Sequence, residues 1–148
     1  MRFFSHYYIF LFLIALIGCK KDINQIDQQV IEQYILENNL VAESTTSGLH
    51  YIIDNQGSGE KPNIYSTVTI AYTGKLTDGE IFDQSSSTGA TFPLYNLIQG
   101  WQEGIPLFNE GGSGTLLIPS SLGYGSQAVG NIPKNSVLIF EINLIEVD

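Results

Sequence analysis

Residues 68–86 read VTIAYTGKLTDGEIFDQSS, and this stretch decides the class of fold. Apolar and polar positions alternate through its first half. Val68, Ile70, Tyr72 and Leu76 point one way, and Thr69, Ala71, Thr73 and Lys75 point the other. A period of two marks a strand with one buried and one wet face. Thr77-Asp78-Gly79 then supplies a hairpin turn, and Glu80-Ile81-Phe82 begins the returning strand. Working outward, residues 49–54 form a strand candidate that is stopped by Gly57-Ser58-Gly59 and Pro62, and residues 115–119 form another. The longest strand candidate, residues 137–147, closes the chain. Only residues 97–108 read as helical in this half, and Gly100, Gly104 and Pro106 keep that helix short. The expectation is an antiparallel sheet covered by one short helix, an α+β domain.

Ahead of the sheet, Ile23, Ile26, Val30 and Tyr34 recur at helical spacing, with Ile31 and Ile35 beside them. The pattern predicts an amphipathic helix over 23–39, capped by Asp22 with Gln25 three residues on and ended by Asn38-Asn39. Its apolar stripe has three candidate partners: the domain itself, which is the default for a stripe of this width, a twin copy, or another protein. Residues 41–48, VAESTTSG, show no periodicity and read as a linker. Earlier still, residues 3–18 are almost wholly apolar and follow Arg2. That run is short of the roughly 20 residues a spanning helix needs, and it fits a secretory signal. Leu16-Ile17-Gly18-Cys19 resembles the lipobox of bacterial lipoproteins, with the only cysteine of the chain at the position that becomes lipid-modified. The expected organisation is a lipoprotein signal peptide over 1–18, a lipid-anchored tether and amphipathic helix over 19–48, and a folded domain over 49–148. Such a protein is exported and held on a cell-envelope membrane through Cys19. Lys20 and Lys21 beside the anchor add little to that attachment.

Composition removes several function classes. The 148 residues carry six Lys+Arg against fifteen Asp+Glu, a formal net charge of −9, so a nucleic-acid backbone is repelled rather than gripped. One cysteine and two histidines supply neither a disulfide framework nor a closed structural zinc site. Beyond the signal His50 is the sole histidine, and no thiol is left to pair with it as a nucleophile. Gly57-Ser58-Gly59 and Gly111-Gly112-Ser113-Gly114 lack the Gly-Lys-Ser/Thr or βαβ context of a phosphate cradle and read as turns. Asp78, Glu80 and Asp83 read as a solvated acidic turn rather than a metal site. What stands out is a set of aromatics from six segments: Tyr72, Phe82, Phe92, Trp101, Tyr124 and Phe140. Such a set assembles either a core or an apolar ligand pocket, and periodicity does not choose between them.

At these positions the chain resembles the FKBP family. Residues 68–86 are similar to its Tyr-Thr-Gly strand leading by a hairpin to Gly-x-x-Phe-Asp. Residues 92–125, FPLYNLIQGWQEGIPLFNEGGSGTLLIPSSLGYG, resemble its second signature, Ile-x-Gly-Trp-x-Glu-Gly followed by Ile-Pro-x-x-Leu-x-Tyr-Gly. Ile132-Pro133 and Val137-Leu138-Ile139-Phe140 match its closing loop and last strand. The resemblance runs over residues 49–148 and leaves out the signal and the first helix. It implies a half-barrel antiparallel sheet wrapped around a short helix, with an N-terminal helical extension here, and peptidyl-prolyl cis-trans isomerase activity without a cofactor or metal.

Carried over to this sequence, the resemblance places Trp101 beneath a substrate proline, with Tyr72, Phe82, Phe92 and Phe140 as walls. Leu97 and Ile98 line one side, and the Ile98 N–H bonds a substrate carbonyl. The Tyr124 phenol donates to a second carbonyl, Ile132 closes the rim, and Asp83 either orients Tyr72 or favours the altered amide. Asp83, Tyr124 and Phe140 are thus the residues implied for rate. Partners implied are proline-containing polypeptides, exported ones given the signal, and macrolide inhibitors. Asn131, Asn96 and Leu97 depart from the commoner family residues at the rim and loop, so substrate preference and macrolide affinity stay open. Monomer and homodimer are both left open. Two other functions fit the same fold, a module that docks a proline-containing partner and a holdase chaperone.

Overall fold

Strand β3, Thr67–Lys75, is the spine of the sheet. Val68, Ile70 and Gly74 are buried, as is Leu76 just past its end, while the other residues of the strand are half-exposed. In the computed structural model, which describes residues 22–148, the other strands are β1 (Glu43–Ser44), β2 (His50–Asn55), β4 (Ile81–Gln84), β5 (Ala90–Pro93), β6 (Ser113–Ile118) and β7 (Leu138–Val147). They form one seven-stranded sheet in the order β1-β2-β6-β7-β3-β4, with every pairing antiparallel. β7 holds one edge of β3 from Val68↔Val147 to Lys75↔Ile139. The other edge is shared, β5 pairing with residues 67–70 and β4 with residues 73–75. Between them the Tyr72 N–H donates to Ser85 Oγ at 2.9 Å and the Ser85 N–H donates to the Tyr72 carbonyl at 3.0 Å, so no backbone group in the gap is orphaned.

Helix α2, Gln99–Gly104, lies against one face of the sheet. Its two glycines are what allow the approach: a Cβ on Gly100 would come within 2.5 Å of Ile118, and one on Gly104 within 2.7 Å of Leu116. The helical region expected over 97–108 is therefore a six-residue α-helix, followed by a 3-10 turn at Ile105–Leu107 that contains Pro106. The core beneath it joins Val68, Ile70, Leu94, Ile105, Phe108 and Leu138, all fully buried.

Helix α1, Ile23–Glu37, covers the opposite face. Along β6, Leu116 and Ile118 face α2, and Leu117, one residue out of phase, meets Ile31 and Val137 in a second cluster. The apolar stripe of α1 thus packs on the domain, the default of the three partners. Ile31 is fully buried there, and replacing it with alanine is expected to lower stability by about 3 kcal/mol in denaturant titration. A loss below about 1 kcal/mol would show that α1 does not dock.

Three local expectations are corrected. Asp22 sits at the N-cap but makes no side-chain capping bond, and only its carbonyl serves the first turn, accepting from the Gln25 and Ile26 N–H groups. The helix ends at Glu37, with Asn39 in the left-handed region at φ 53°. Residues 41–48 are not a bare linker, because Glu43 and Ser44 pair with Tyr51 and His50 at the sheet edge. The signal segment, Cys19 and Lys20-Lys21 lie outside the described residues. Among the described residues, no helix is long and apolar enough to cross a membrane.

Candidate active site

Four strands and the two turns beside α2 bring the aromatic residues to one place. β3 contributes Tyr72, β4 Asp83, β5 Phe92 and β7 Phe140, the segment entering α2 adds Leu97 and Ile98, and α2 adds Trp101. Tyr124 follows the turn after β6. These eight residues line a cavity of about 140 Å³. Trp101 is almost fully buried, and three rings stand edge-on to it: Tyr72 at 5.1 Å and 88°, Phe140 at 5.1 Å and 85°, and Phe92 at 6.3 Å and 87°. Edge-to-face contacts of this kind favour one arrangement of the rings beyond what burial alone supplies, so the cavity is pre-formed.

Two of the ten residues named for the pocket from the sequence stand back from it. Phe82 packs edge-on against Phe140, with centroids 5.5 Å apart, and supports that wall from behind. Ile132 is buried in the core and closes a tight turn, exchanging backbone hydrogen bonds with Val129. Gly74 was not singled out for the site. A Cβ there would lie 2.7 Å from both Phe140 and Phe82, so glycine opposite Phe140 leaves room for both rings. Gln102 was missed as well. Its side-chain amide donates to the carbonyls of Leu97 at 2.7 Å and Tyr95 at 3.1 Å and fixes the segment that carries Ile98. In the sequence a glutamine on a short helix looks like any solvent-facing residue, and nothing local marks it.

The polar groups are few and mostly unspent. The Tyr72 hydroxyl donates to Asp83 Oδ2 at 2.8 Å, while Asp83 itself is exposed at the rim. The Tyr124 hydroxyl makes no hydrogen bond within the described chain, and the Ile98 N–H, at the start of α2, meets no acceptor. Trp101 Nε1 is buried without a partner, an uncommon state that an incoming acceptor would relieve. No group of three His, Cys, Asp or Glu side chains comes together among the described residues.

Burial, and then the bond to Asp83, pushes the Tyr72 phenol from 10.0 up to about 12. Tyr124 is raised too, by burial first and by the Asp83 charge second. Both phenols therefore keep their protons at neutral pH, and Tyr124 stays a donor. A raised folded-state value means that between pH 10 and about 12 the folded chain holds a proton the unfolded chain has lost. The contribution of Tyr72 to stability is complete below pH 10 and fades as pH rises to about 12. Tyrosinate absorbance should show the Tyr72 and Tyr124 phenols titrating late, and Asp83→Asn should bring both part of the way back, leaving the larger effect of burial. An unmoved titration would remove Asp83 as a cause.

The comparisons with known proteins agree with this geometry. The profile of the FKBP-type peptidyl-prolyl cis-trans isomerase family matches residues 58–145. An FKBP-type peptidyl-prolyl cis-trans isomerase FkpA of Aeromonas hydrophila is 40% identical over 126 residues, 82% of this chain and 47% of the relative. The outer membrane protein MIP of Legionella longbeachae is 43% identical over 104 residues, 68% of this chain and 45% of the relative. The crystal structure of FkpA from Escherichia coli superimposes with a TM-score of 0.75 at 34% identity, covering 84% of this chain and 59% of that one. The chain spans about half the length of the curated relatives it matches. With its antiparallel sheet, its short covering helix and its aromatic cavity, the chain belongs to the FKBP-type peptidyl-prolyl cis-trans isomerase family.

Proposed function

We propose that the protein is a peptidyl-prolyl cis-trans isomerase that acts on X-Pro bonds of polypeptides outside the cytoplasm. The observation that carries this reading is the cavity walled by Tyr72, Phe92, Trp101 and Phe140, with unpaired donors on Ile98 and Tyr124 beside it. Amide resonance sets a rotation barrier of ~18–20 kcal/mol, and X-Pro bonds exchange over tens to hundreds of seconds unaided. Lowering that barrier requires no covalent intermediate. A twisted amide has lost resonance and charge separation, so an apolar cavity suits it better than it suits the planar ground state. Trp101 underlies the proline ring, the aromatic walls exclude water, and the Ile98 N–H and Tyr124 hydroxyl hold carbonyl oxygens on either side of the bond. Asp83 holds Tyr72 in place and sets the field at the rim. Asn96, Leu97 and Asn131 shape the preference for flanking residues.

Export and anchoring through Cys19 rest on the lipobox-like Leu16-Ile17-Gly18-Cys19, and the relative named as an outer membrane protein supports an envelope location. More than one acyl chain on Cys19 is needed to hold the protein firmly. The activity is tested by following cis/trans exchange of a short X-Pro peptide by NMR with the full chain in detergent micelles. Acceleration is expected. A folded protein that binds the peptide without accelerating exchange would be a proline-docking module instead.

A further inference from the structure

Among the described residues Asp27 is the one buried acidic or basic side chain, at 1% exposure. It lies on α1, an element that amide rotation does not call for, and its partner is 93 residues away. Asp27 Oδ2 accepts from the Ser120 N–H at 2.8 Å and from the Ser120 hydroxyl at 2.6 Å. Ser120 is itself buried, and its carbonyl accepts from the Gly123 N–H at 3.0 Å and the Gly125 N–H at 2.8 Å. Tyr124 is the residue between those two donors. The turn is tied once more where the Gly125 carbonyl accepts from the Asn135 N–H at 2.7 Å.

The phenol end of Tyr124 has no hydrogen-bond partner among the described residues, so the ring is located by the backbone it hangs from and by packing. That backbone is gathered on Ser120, and Ser120 is held by Asp27. We propose that Asp27 is a positioning residue for Tyr124, which makes α1 a working part of the pocket rather than a spacer. This rests on the isomerase reading of the cavity. Without Asp27 the buried Ser120 N–H and hydroxyl lose their acceptor, and the turn must shift or admit water to satisfy them.

The test is a double-mutant cycle in the full chain, read as kcat/KM for exchange of an X-Pro peptide. Asp27→Ala is expected to lower kcat/KM about fivefold or more, as expected for side chains in one hydrogen-bond network. Asp27→Asn retains an acceptor oxygen and should stay within about twofold of wild type. In a Tyr124→Phe background, Asp27→Ala should add less than about a twofold loss. Ile31→Ala loosens α1 without touching the bond and should leave kcat/KM unchanged well below its melting temperature. Equal losses in both backgrounds, an equal loss from Ile31→Ala, or wild-type activity in Asp27→Ala would each overturn the proposal. If Asp27→Ala does not fold, Ser120→Ala, which removes only the hydroxyl donor, takes its place with a smaller loss in the same direction expected. A wild-type chain that accelerates nothing would end the isomerase reading, and the NMR signals of the Tyr124 ring then decide separately. Signals that move in Asp27→Ala but not in Ile31→Ala support the link, and signals that stay put in both refute it.

Discussion

Phe140→Ala is expected to lower kcat/KM for an X-Pro peptide by about 100-fold, the order of loss that follows when a reacting group is displaced by about 1 Å. Phe140 ties the site together, standing edge-on to Trp101 at 5.1 Å, tilted against Tyr72 at 6.1 Å and backed by Phe82. Truncation removes one wall, frees Trp101 and Tyr72 from a shared neighbour, and admits water to a cavity whose advantage lies in being apolar. The residue is also 4% exposed, so stability should fall by about 3–5 kcal/mol, and the assay belongs well below the melting temperature of the variant. Phe140→Leu separates the two effects, since it keeps most of the volume and loses the ring geometry. Wild-type kcat/KM in folded Phe140→Ala would show that catalysis happens elsewhere.

Gly114→Ala should be the most disruptive single-methyl change in the domain, with a loss of about 4 kcal/mol or outright failure to fold. Gly114 sits inside β6, facing Ile53 on β2 and Ile142 on β7. A Cβ built there would lie 2.0 Å from the Ile52 carbonyl oxygen and 2.8 Å from the Phe108 ring. The nearest obstruction is backbone of β2, which is hydrogen-bonded to β6 itself, so no rotamer change relieves it. Gly111 is the control three residues earlier. Its φ is +82° and nothing lies within 4 Å of its would-be Cβ, so Gly111→Ala carries only backbone strain of about 1 kcal/mol. Thermal unfolding of the two variants should differ by many degrees, and similar melting temperatures would contradict the strand assignment.

That pair of glycines also marks where sequence reading stops. Gly111-Gly112-Ser113-Gly114 reads as one turn, because glycine enrichment signals a turn and a close approach of backbone in the same way. Only the packing of β6 between β2 and β7 separates them. Strand β5 was likewise invisible. Four residues, Ala90–Pro93, are too few to show an alternation, and they become a strand because residues 67–70 of β3 are free to pair with them. Glu43 and Ser44 are extended for the same reason, drawn from an apparent linker to the sheet edge.

The sequence by itself determined the main segments: the alternating strand at 68–76, the long last strand, the amphipathic helix ahead of the domain, the helix kept short by Gly100, Gly104 and Pro106, and the aromatics of six segments. Those are properties of local periodicity, and the periods of 2 and 3.6 state which side of an element is apolar. They do not state which distant element covers it. The tertiary structure alone decided that Phe82 and Ile132 stand back from the cavity while Gln102 and Gly74 shape it. It alone placed α1 on the outer face of β6, and it alone turned Asp27, one polar residue among many on that helix, into the buried acceptor of Ser120. A carboxylate on a helix reads as solvated until a partner 93 residues away closes over it, and burial of that kind is a property of the assembled sheet rather than of any segment in it.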